Sequence, residues 1–212
     1  MEDAISVLGR TGLLPIARGL DSSDLRRTAA LLVEEDLPLL EVTMNTRGAA
    51  SLIRELHEAF EGRLVLGAGT VLDPVLAETA VDAGAVFLVS PHWDPELAAA
   101  ARRLGVPLIP GAFTPTEILA AWRAGAAMVK VFPAVAGGPE YLRQLRGPLP
   151  EIPLLPTGGI TVDNAAEFIA AGAAALGVGG SLLRSEGADP ARLRAQITAF
   201  KTAVAEGRRA RA

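Results

Sequence analysis

With 212 residues, 50% of them hydrophobic but only 4% aromatic, the chain is long enough for one well-buried domain with a mainly aliphatic core. Its net charge of −4 provides no basic field for nucleic acid, and neither a signal peptide nor a membrane-spanning apolar run is evident, so we expect a cytoplasmic protein without nucleic-acid or membrane partners. The absence of cysteine and the presence of only two histidines exclude a disulfide framework, a thiol nucleophile and a thiolate metal site, and we expect no catalytic metal.

Short aliphatic runs recur along the chain and predict eight β-strands. Roughly 20 to 25 residues separate most of these runs, and the stretches between them are rich in alanine and leucine with a helical period. In chain order the predicted strands span residues 12–17, 38–43, 63–67, 86–90, 107–110, 127–132, 153–156 and 175–179.

Capping residues and glycines mark the boundaries of the predicted helices. Four helices are predicted to begin with a capping residue followed by proline, at Asp73-Pro74, Asp94-Pro95, Thr114-Pro115 and Asp189-Pro190. Left-handed helix ends are predicted at Gly84, Gly125 and Gly172. Because strands and helices alternate without an interdomain linker, we predict a single domain over residues 1–212. Its predicted fold is an α/β (β/α)₈ TIM barrel with a parallel eight-stranded core.

A lysine in an apolar strand is the first candidate for chemistry. Lys130 is one of only two lysines in the chain, and its neighbours across 126–133 are apolar. A free lysine with a pKa near ~10.4 is neutral in only about one molecule in 2,500 at pH 7, but burial lowers that pKa by roughly 3 to 5 units and releases a nucleophilic amine. One interpretation is Schiff-base formation with a carbonyl compound. The other is a structural lysine that pairs with a carboxylate.

Glu41 is a second charge within an apolar strand and provides such a carboxylate. Strand alternation allows both Glu41 and Lys130 to point inward, where they could form an ion pair that keeps the amine protonated. Arg18, at the end of the first predicted strand, would oppose that effect by lowering the pKa of the lysine, and its guanidinium suits the carboxylate of an anionic substrate. Arg18 could equally cap the barrel or pair with Glu41 alone.

Glycine-rich segments follow the last two predicted strands, at residues 157–160 and 179–182. In a barrel of this kind, backbone N–H groups and a helix start after these strands commonly bind phosphate. Paired glycines are also common in turns, but two such segments at successive strand ends favour a phosphate site.

These residues belong to a set of motifs that covers almost the whole chain. With them the chain resembles the 2-keto-3-deoxy-6-phosphogluconate (KDPG) aldolase and 4-hydroxy-2-oxoglutarate aldolase family, which are class I enzymes on a short (β/α)₈ barrel. The motifs are Leu14-Pro15-Ile16-Ala17-Arg18, Leu40-Glu41-Val42-Thr43, Gly67-Ala68-Gly69-Thr70-Val71, Val89-Ser90-Pro91-His92, Ile109-Pro110-Gly111, Val129-Lys130-Val131-Phe132-Pro133, Pro156-Thr157-Gly158-Gly159-Ile160 and Val178-Gly179-Gly180-Ser181.

The resemblance implies a lyase that reversibly cleaves 2-dehydro-3-deoxy-6-phosphogluconate to pyruvate and glyceraldehyde 3-phosphate, with 4-hydroxy-2-oxoglutarate as a further candidate substrate. It implies that Lys130 forms the Schiff base and that Glu41 moves protons through a water. No cofactor is needed, because the protonated imine is the electron sink. It also implies a homotrimer. By position, the substrate-binding residues would be Arg18 and Thr70 for the carboxylate, Pro91 for pocket shape, Thr157 for stereochemistry, and Gly158, Gly159, Gly179, Gly180 and Ser181 for the phosphate end.

One position departs from part of the family. Many KDPG aldolases have an arginine four residues after the glutamate, whereas this chain has Asn45, with Arg47 two residues further on. Asparagine there, together with Arg18, looks like the galactonate-specific relatives, while Thr157 favours the gluconate form. The sequence therefore leaves the preferred epimer open.

Two other functions stay open on the sequence alone. One is a sugar-phosphate isomerase or epimerase in which Glu41 shuttles protons and Lys130 is an electrostatic clamp. The other is a non-catalytic metabolite-binding barrel with a structural charge pair. Outside the site, His92 is predicted to bond a neighbouring residue, Lys201 to be solvated, and the arginines of residues 208–211 to form a solvated tail.

Overall fold

The computed structural model describes residues 3–183 and 189–211, in which helices and parallel strands alternate. The strands are β1 Leu13–Ala17, β2 Leu39–Thr43, β3 Val65–Gly69, β4 Phe87–Val89, β5 Leu108–Ile109, β6 Gly111–Ala112, β7 Val129–Val131, β8 Leu154–Pro156 and β9 Leu176–Val178. The helices are α1 Ala4–Thr11, α2 Ser22–Glu34, α3 Ala49–Ala59, α4 Pro74–Asp82, α5 Pro95–Leu104, α6 Pro115–Arg123, α7 Gly138–Arg146, α8 Val162–Ala170 and α9 Pro190–Arg211, with a 3-10 helix at Ala134–Ala136.

The predicted helix boundaries are confirmed. Helices α4, α5, α6 and α9 begin at the prolines expected, and each preceding Asp or Thr side chain accepts a hydrogen bond from a backbone N–H of the first turn. Thr114 and Glu117 form the expected capping box. Gly84, Gly125 and Gly172 all have positive φ, between 90° and 108°, so glycine ends these helices without the steric cost of a side chain.

The predicted closed eight-stranded barrel is wrong. The strands form a curled six-stranded parallel sheet in the order β5-β4-β3-β2-β1-β9, a half-barrel, and a separate three-stranded parallel sheet in the order β6-β7-β8. Pro110 separates β5 from β6, because it has no N–H with which to continue a ladder. On the other side, β8 and β9 are each only three residues long, and one isolated bridge joins Thr157, which follows β8, to Gly177 in the middle of β9.

Two apolar clusters form the core on either side of the strands. The larger one joins the outward strand residues to the helices, as with Leu40 of β2 against residues such as Leu25 and Ile53. The smaller one joins inward strand residues, including Leu39, to α1. Helix α1 therefore packs on the inner face of the strands, and the side chains closer to the strand ends are left for the site. No helix in the described part of the chain is both long and apolar enough to cross a bilayer.

The prediction of a solvated arginine tail is only partly right. The arginines of residues 208–211 are exposed, but they belong to α9. Arg208 donates hydrogen bonds to the carbonyl oxygens of Gly9 (2.7 Å) and Arg10 (2.9 Å). It thus satisfies carbonyls in the last turn of α1, where a cation also complements the helix dipole.

Gly67→Ala should destabilise the fold. A methyl group at this position of β3 would overlap the ring of Phe87, which is 1% exposed. Because the ring has no free volume into which to move, we expect a loss of about 1 to 3 kcal/mol in the free energy of unfolding, measured by urea denaturation. Gly9→Ala is the matched control: no neighbour lies within 4 Å of the added methyl, and helix propensity should raise stability by about 0.5 to 1 kcal/mol. Equal effects of the two substitutions would contradict the packing argument.

Candidate active site

Lys130 and Glu41 both lie on the inner face of the strands. Lys130 is in the middle of β7 and is 5% exposed, while Glu41 is in the middle of β2 and is 1% exposed. Leu39 and Met128, two residues earlier on the same faces, belong to the inner apolar cluster. The alternation of side chains along each strand therefore directs both charged groups inward, as predicted.

Burial is the largest influence on the pKa of Lys130 and on that of Glu41. Desolvation lowers the pKa of Lys130, an effect that Glu41 opposes and the guanidinium of Arg18 reinforces. Desolvation also raises the pKa of Glu41, against the opposing effects of Lys130 and Arg18. Burial therefore shifts both groups toward their uncharged forms, which opposes a fully charged buried ion pair. The neutral amine is the form that attacks a carbonyl carbon.

The carboxyl group of Glu41 lies directly against the backbone of β3. A methyl group at Gly69 would overlap Glu41 Oε1, so only glycine leaves room for this conformation of the glutamate. Glu41 Oε2 is buried and accepts no hydrogen bond from any residue that the structure describes. An unpaired buried oxygen of this kind is costly for stability, and such atoms often mark functional sites.

Arg18 and Thr70 extend the polar face of the site. Arg18 follows β1 and Thr70 follows β3, and Arg18 Nη2 lies 3.5 Å from Thr70 Oγ1. Thr70 has a φ of 55°, a left-handed conformation that is unfavourable for a β-branched residue. Strained backbone is concentrated at ligand sites, and here it directs a hydroxyl group toward the guanidinium.

A cavity of about 560 Å³ opens over Lys130. Its wall contains Lys130 and every substrate-binding residue predicted from the sequence, namely Arg18, Thr70, Pro91, Thr157, Gly158, Gly159, Gly179, Gly180 and Ser181. Glu41 is not part of the wall. It is 1% exposed, so a proton can pass between Glu41 and a bound molecule through an intermediary such as a water.

Six residues of the cavity wall were missed by the sequence analysis. They are Ile16, Phe132, Ile160, Thr161, Gly177 and Leu183. The sequence contained a signal for two of them. Ile16 lies two residues before Arg18 and Phe132 two residues after Lys130, so each shares a strand face with a predicted site residue.

Glycine-rich backbone forms the end of the cavity after β8 and β9. Gly158 and Gly159 have φ values of 90° and 79°, a conformation that favours glycine. They lead into α8, which begins after a capping box formed by Thr161 and Asn164. In the same part of the wall, the hydroxyl group of Ser181 donates to the carbonyl oxygen of Ile160 at 2.6 Å. The arrangement presents backbone and a helix start to the cavity, which suits an anion such as phosphate.

The hydroxyl group of Thr157 lies between these glycines and Lys130. It is 5% exposed, and its Oγ1 donates to the carbonyl oxygen of Leu155 at 3.3 Å. A methyl group at Gly177 would overlap Thr157 Oγ1, so the absence of a side chain on β9 leaves space for the threonine. Since its proton is directed toward Leu155, the oxygen can accept a hydrogen bond from a ligand.

Several other polar residues singled out in the sequence lie away from this cavity. Asn45 and Arg47 are exposed and do not contribute to its wall. His92 Nδ1 is 3.1 Å from Ser90 Oγ, which confirms the predicted bond to a neighbour. Lys201 is exposed, as predicted, and its Nζ donates to the carbonyl oxygen of Glu35 at 2.8 Å.

Comparison with known families identifies the chain. Residues 4–198 match the family model described as KDPG and KHG aldolase. The chain belongs to this family of aldolases. The matched range includes Arg18, Glu41, Lys130 and Ser181.

Individual aldolases agree with this assignment. The chain is 40% identical to the 2-dehydro-3-deoxy-phosphogluconate aldolase of Pseudomonas aeruginosa over 159 residues, which is 74% of this chain and 72% of the relative. It is 31% identical to the 2-dehydro-3-deoxy-6-phosphogalactonate aldolase of Escherichia coli over 195 residues, covering 92% of this chain and 95% of the relative. A crystal structure of the Legionella pneumophila KDPG aldolase, with pyruvate captured at low pH as a covalent carbinolamine, superposes with a TM-score of 0.85. It has 28% sequence identity, and the superposition covers 95% of this chain and 98% of that one.

Gly69→Ala should reduce turnover of this aldolase by displacing Glu41. The added methyl group and Glu41 Oε1 cannot occupy the same space, so the carboxyl group must move away from β3. A displacement of about 1 Å within a catalytic site can cost about 100-fold in rate, and we expect a fall in kcat of that order. Steady-state assays with the aldol substrate would measure it.

A double variant distinguishes this cause from a general disturbance. If Gly69→Ala acts through Glu41, it should add little to the loss already caused by Glu41→Gln. A loss of kcat as large in the Glu41→Gln background as in the wild type would show that the displaced carboxyl group is not responsible.

Proposed function

We propose that this chain cleaves 2-dehydro-3-deoxy-6-phosphogluconate to pyruvate and glyceraldehyde 3-phosphate through a Schiff base at Lys130. The observation that carries the proposal is a desolvated lysine in the wall of a cavity, with a buried carboxyl group behind it and an anion-binding arginine beside it. Burial lowers the pKa of this amine, which is the requirement for a lysine nucleophile near neutral pH.

In the proposed reaction the lone pair of Lys130 Nζ adds to the keto carbon C2, the nitrogen loses one proton, and the keto oxygen takes one up to give the carbinolamine. Loss of that oxygen as water gives a protonated imine. The C3–C4 bond then breaks, its electron pair moves into the enamine, and the hydroxyl group on C4 loses its proton as the aldehyde leaves. Protonation of the enamine at C3 and hydrolysis of the imine release pyruvate and the free lysine. The protonated imine accepts the electrons, so the steps balance without a further oxidant or reductant.

Glu41 would move the protons in these steps. Burial favours its protonated form, which can supply the proton needed when the carbinolamine loses water. After this transfer the carboxylate can accept a proton from the C4 hydroxyl group. Because Glu41 lies behind the cavity wall, we propose that a water carries the proton in both directions.

The remaining wall residues would bind the two ends of the substrate. Arg18 and Thr70 would hold the carboxylate, Pro91 would shape the pocket beside it, and Thr157 would lie against the hydroxyl-bearing carbon C4 and influence its stereochemistry. The phosphate group would bind at the opposite end, against Gly158, Gly159, Gly179, Gly180 and Ser181.

Three broader expectations belong to the same proposal. Residues 1–212 would act as one catalytic domain, the protein would associate as a homotrimer, and it would be cytoplasmic. The gluconate substrate is preferred here over its galactonate epimer, because the relative with that activity is 40% identical and the galactonate relative 31%. Asn45 and Arg47 lie outside the cavity wall and give no reason to reverse this preference.

Trapping with borohydride tests the proposal directly. Incubation with pyruvate and borohydride should reduce the imine to a secondary amine and leave a 1-carboxyethyl group on Lys130, which mass spectrometry of the digested protein would locate. Protein that stays unmodified would favour an isomerase or a non-catalytic binding protein instead. Initial rates on the gluconate, galactonate and hydroxyglutarate substrates would then establish the preferred one, and a higher rate with the galactonate epimer would overturn the proposed choice.

A further inference from the structure

The ring of Phe132 lies over the reactive nitrogen. Its centroid is 5.1 Å from Lys130 Nζ, within the range of a cation–π contact. Phe132 follows Lys130 by two residues, contributes to the cavity wall and is 36% exposed, which is unusual for so large an apolar side chain. The ring is therefore not simply part of the packed core.

The backbone at Gly158 also lies close to this ring. A methyl group at Gly158 would be 3.1 Å from Phe132 Cε2 and 3.3 Å from Cδ2. Pro133, the next residue, also lies near this position, with its Cα 3.5 Å from the same methyl group. The ring therefore lies near both the Gly158 backbone and the amine.

An aromatic ring can attract a positive charge on Lys130 in a way that the charged groups around it cannot. Two groups of opposite sign act on the nitrogen, the carboxyl group of Glu41 and the guanidinium of Arg18. Burial favours the neutral acid form of Glu41, which weakens its attraction for a positive nitrogen. The negative face of an aromatic ring attracts a cation and does not titrate, so it acts whatever the protonation of Glu41.

We propose that Phe132 stabilises the positively charged imine at Lys130 through the face of its ring, and so increases the fraction of bound keto acid that is present as the imine. This inference rests on the proposed Schiff-base function. The same contact stabilises the lysine ammonium of the free enzyme. Weakening it should therefore have two opposite effects, a less stable imine and an amine that loses its proton at lower pH.

Fluorinated phenylalanines incorporated at position 132 provide the test. Successive fluorine atoms withdraw electrons from the ring face while the ring keeps nearly the same shape. The first measurement is the equilibrium fraction of imine with pyruvate, from borohydride trapping at a pH where the free amine is neutral, and we expect it to fall stepwise by about 3- to 30-fold over the series. The second is the pH midpoint for the rate of imine formation, which should move to lower pH over the same series.

The same series at Phe113 is the control. Its ring stacks on Tyr141 at 4.8 Å, and it should change neither quantity. If fluorination at position 132 leaves both the imine fraction and the pH midpoint unchanged, Phe132 is only an apolar wall and the inference is wrong. If the wild-type protein itself forms no imine with pyruvate, the proposed function fails, and the two failures are thus distinguished.

Discussion

Lys130→Ala should abolish cleavage, with a fall in kcat of about 10⁴-fold or more. The substitution removes the nucleophile, and no covalent route to the enamine is left. Lys201, the other lysine of the chain, cannot replace it because its Nζ is bonded to the carbonyl oxygen of Glu35 on the exposed side of α9. Release of pyruvate from the gluconate substrate would measure the loss, and treatment with pyruvate and borohydride should no longer leave a 1-carboxyethyl group on the protein.

Two further variants separate loss of the nucleophile from loss of the fold. Lys130→Met keeps most of the side-chain volume within β7 and removes a cation that is poorly solvated, so the protein should fold while being equally inactive. Lys201→Ala should leave kcat unchanged. Substantial turnover by a folded Lys130→Met protein would remove the Schiff base from the mechanism.

The elements of the fold were predictable from local chemistry, whereas the arrangement of the sheets was not. Prolines after capping residues and glycines with positive φ determine helix ends within a few residues, so sequence suffices to find them. Closure of a barrel depends on hydrogen bonds between strands that are distant in the chain. Here one predicted strand is divided at Pro110 into β5 and β6, and β8 and β9 meet at one bridge. A sequence pattern shows that strands exist, but not whether each pair of neighbours completes its ladder.

In the site, likewise, the identity of the charged residues was predictable but their depth was not. Charges at alternating positions in apolar strands identified Lys130 and Glu41, because burial of a charge is costly enough to require an explanation. The depth of each group could not be predicted in this way. Whether Glu41 lies in the cavity wall or behind it depends on the close approach of its carboxyl group to Gly69, which is a contact between two strands. Strand alternation also puts Phe132 on the same face as Lys130, but it does not show how closely the ring approaches the amine.

Glu41→Gln should slow turnover by about 100- to 10,000-fold while still allowing pyruvate to be trapped on Lys130. The amide keeps the size of the carboxyl group but cannot transfer a proton, and loss of a general acid–base group has effects of this size. Lys130 retains its nucleophilic nitrogen, so the slow step should become proton transfer. The kcat for cleavage and the extent of borohydride trapping, measured on the same protein, would separate the two steps.

The pH dependence of trapping should also change in a definite direction in Glu41→Gln. Glu41 raises the pKa of Lys130 against the larger effect of desolvation, so its replacement by an uncharged amide should lower that pKa further. The rate of imine formation rises with pH as the amine loses its proton, and the midpoint of that rate profile should therefore move to lower pH in Glu41→Gln. Glu78→Gln, which removes an exposed partner of Arg103, is the control and should move neither kcat nor the midpoint. A midpoint that moves to higher pH in Glu41→Gln would mean that the carboxyl group of Glu41 does not raise the pKa of Lys130.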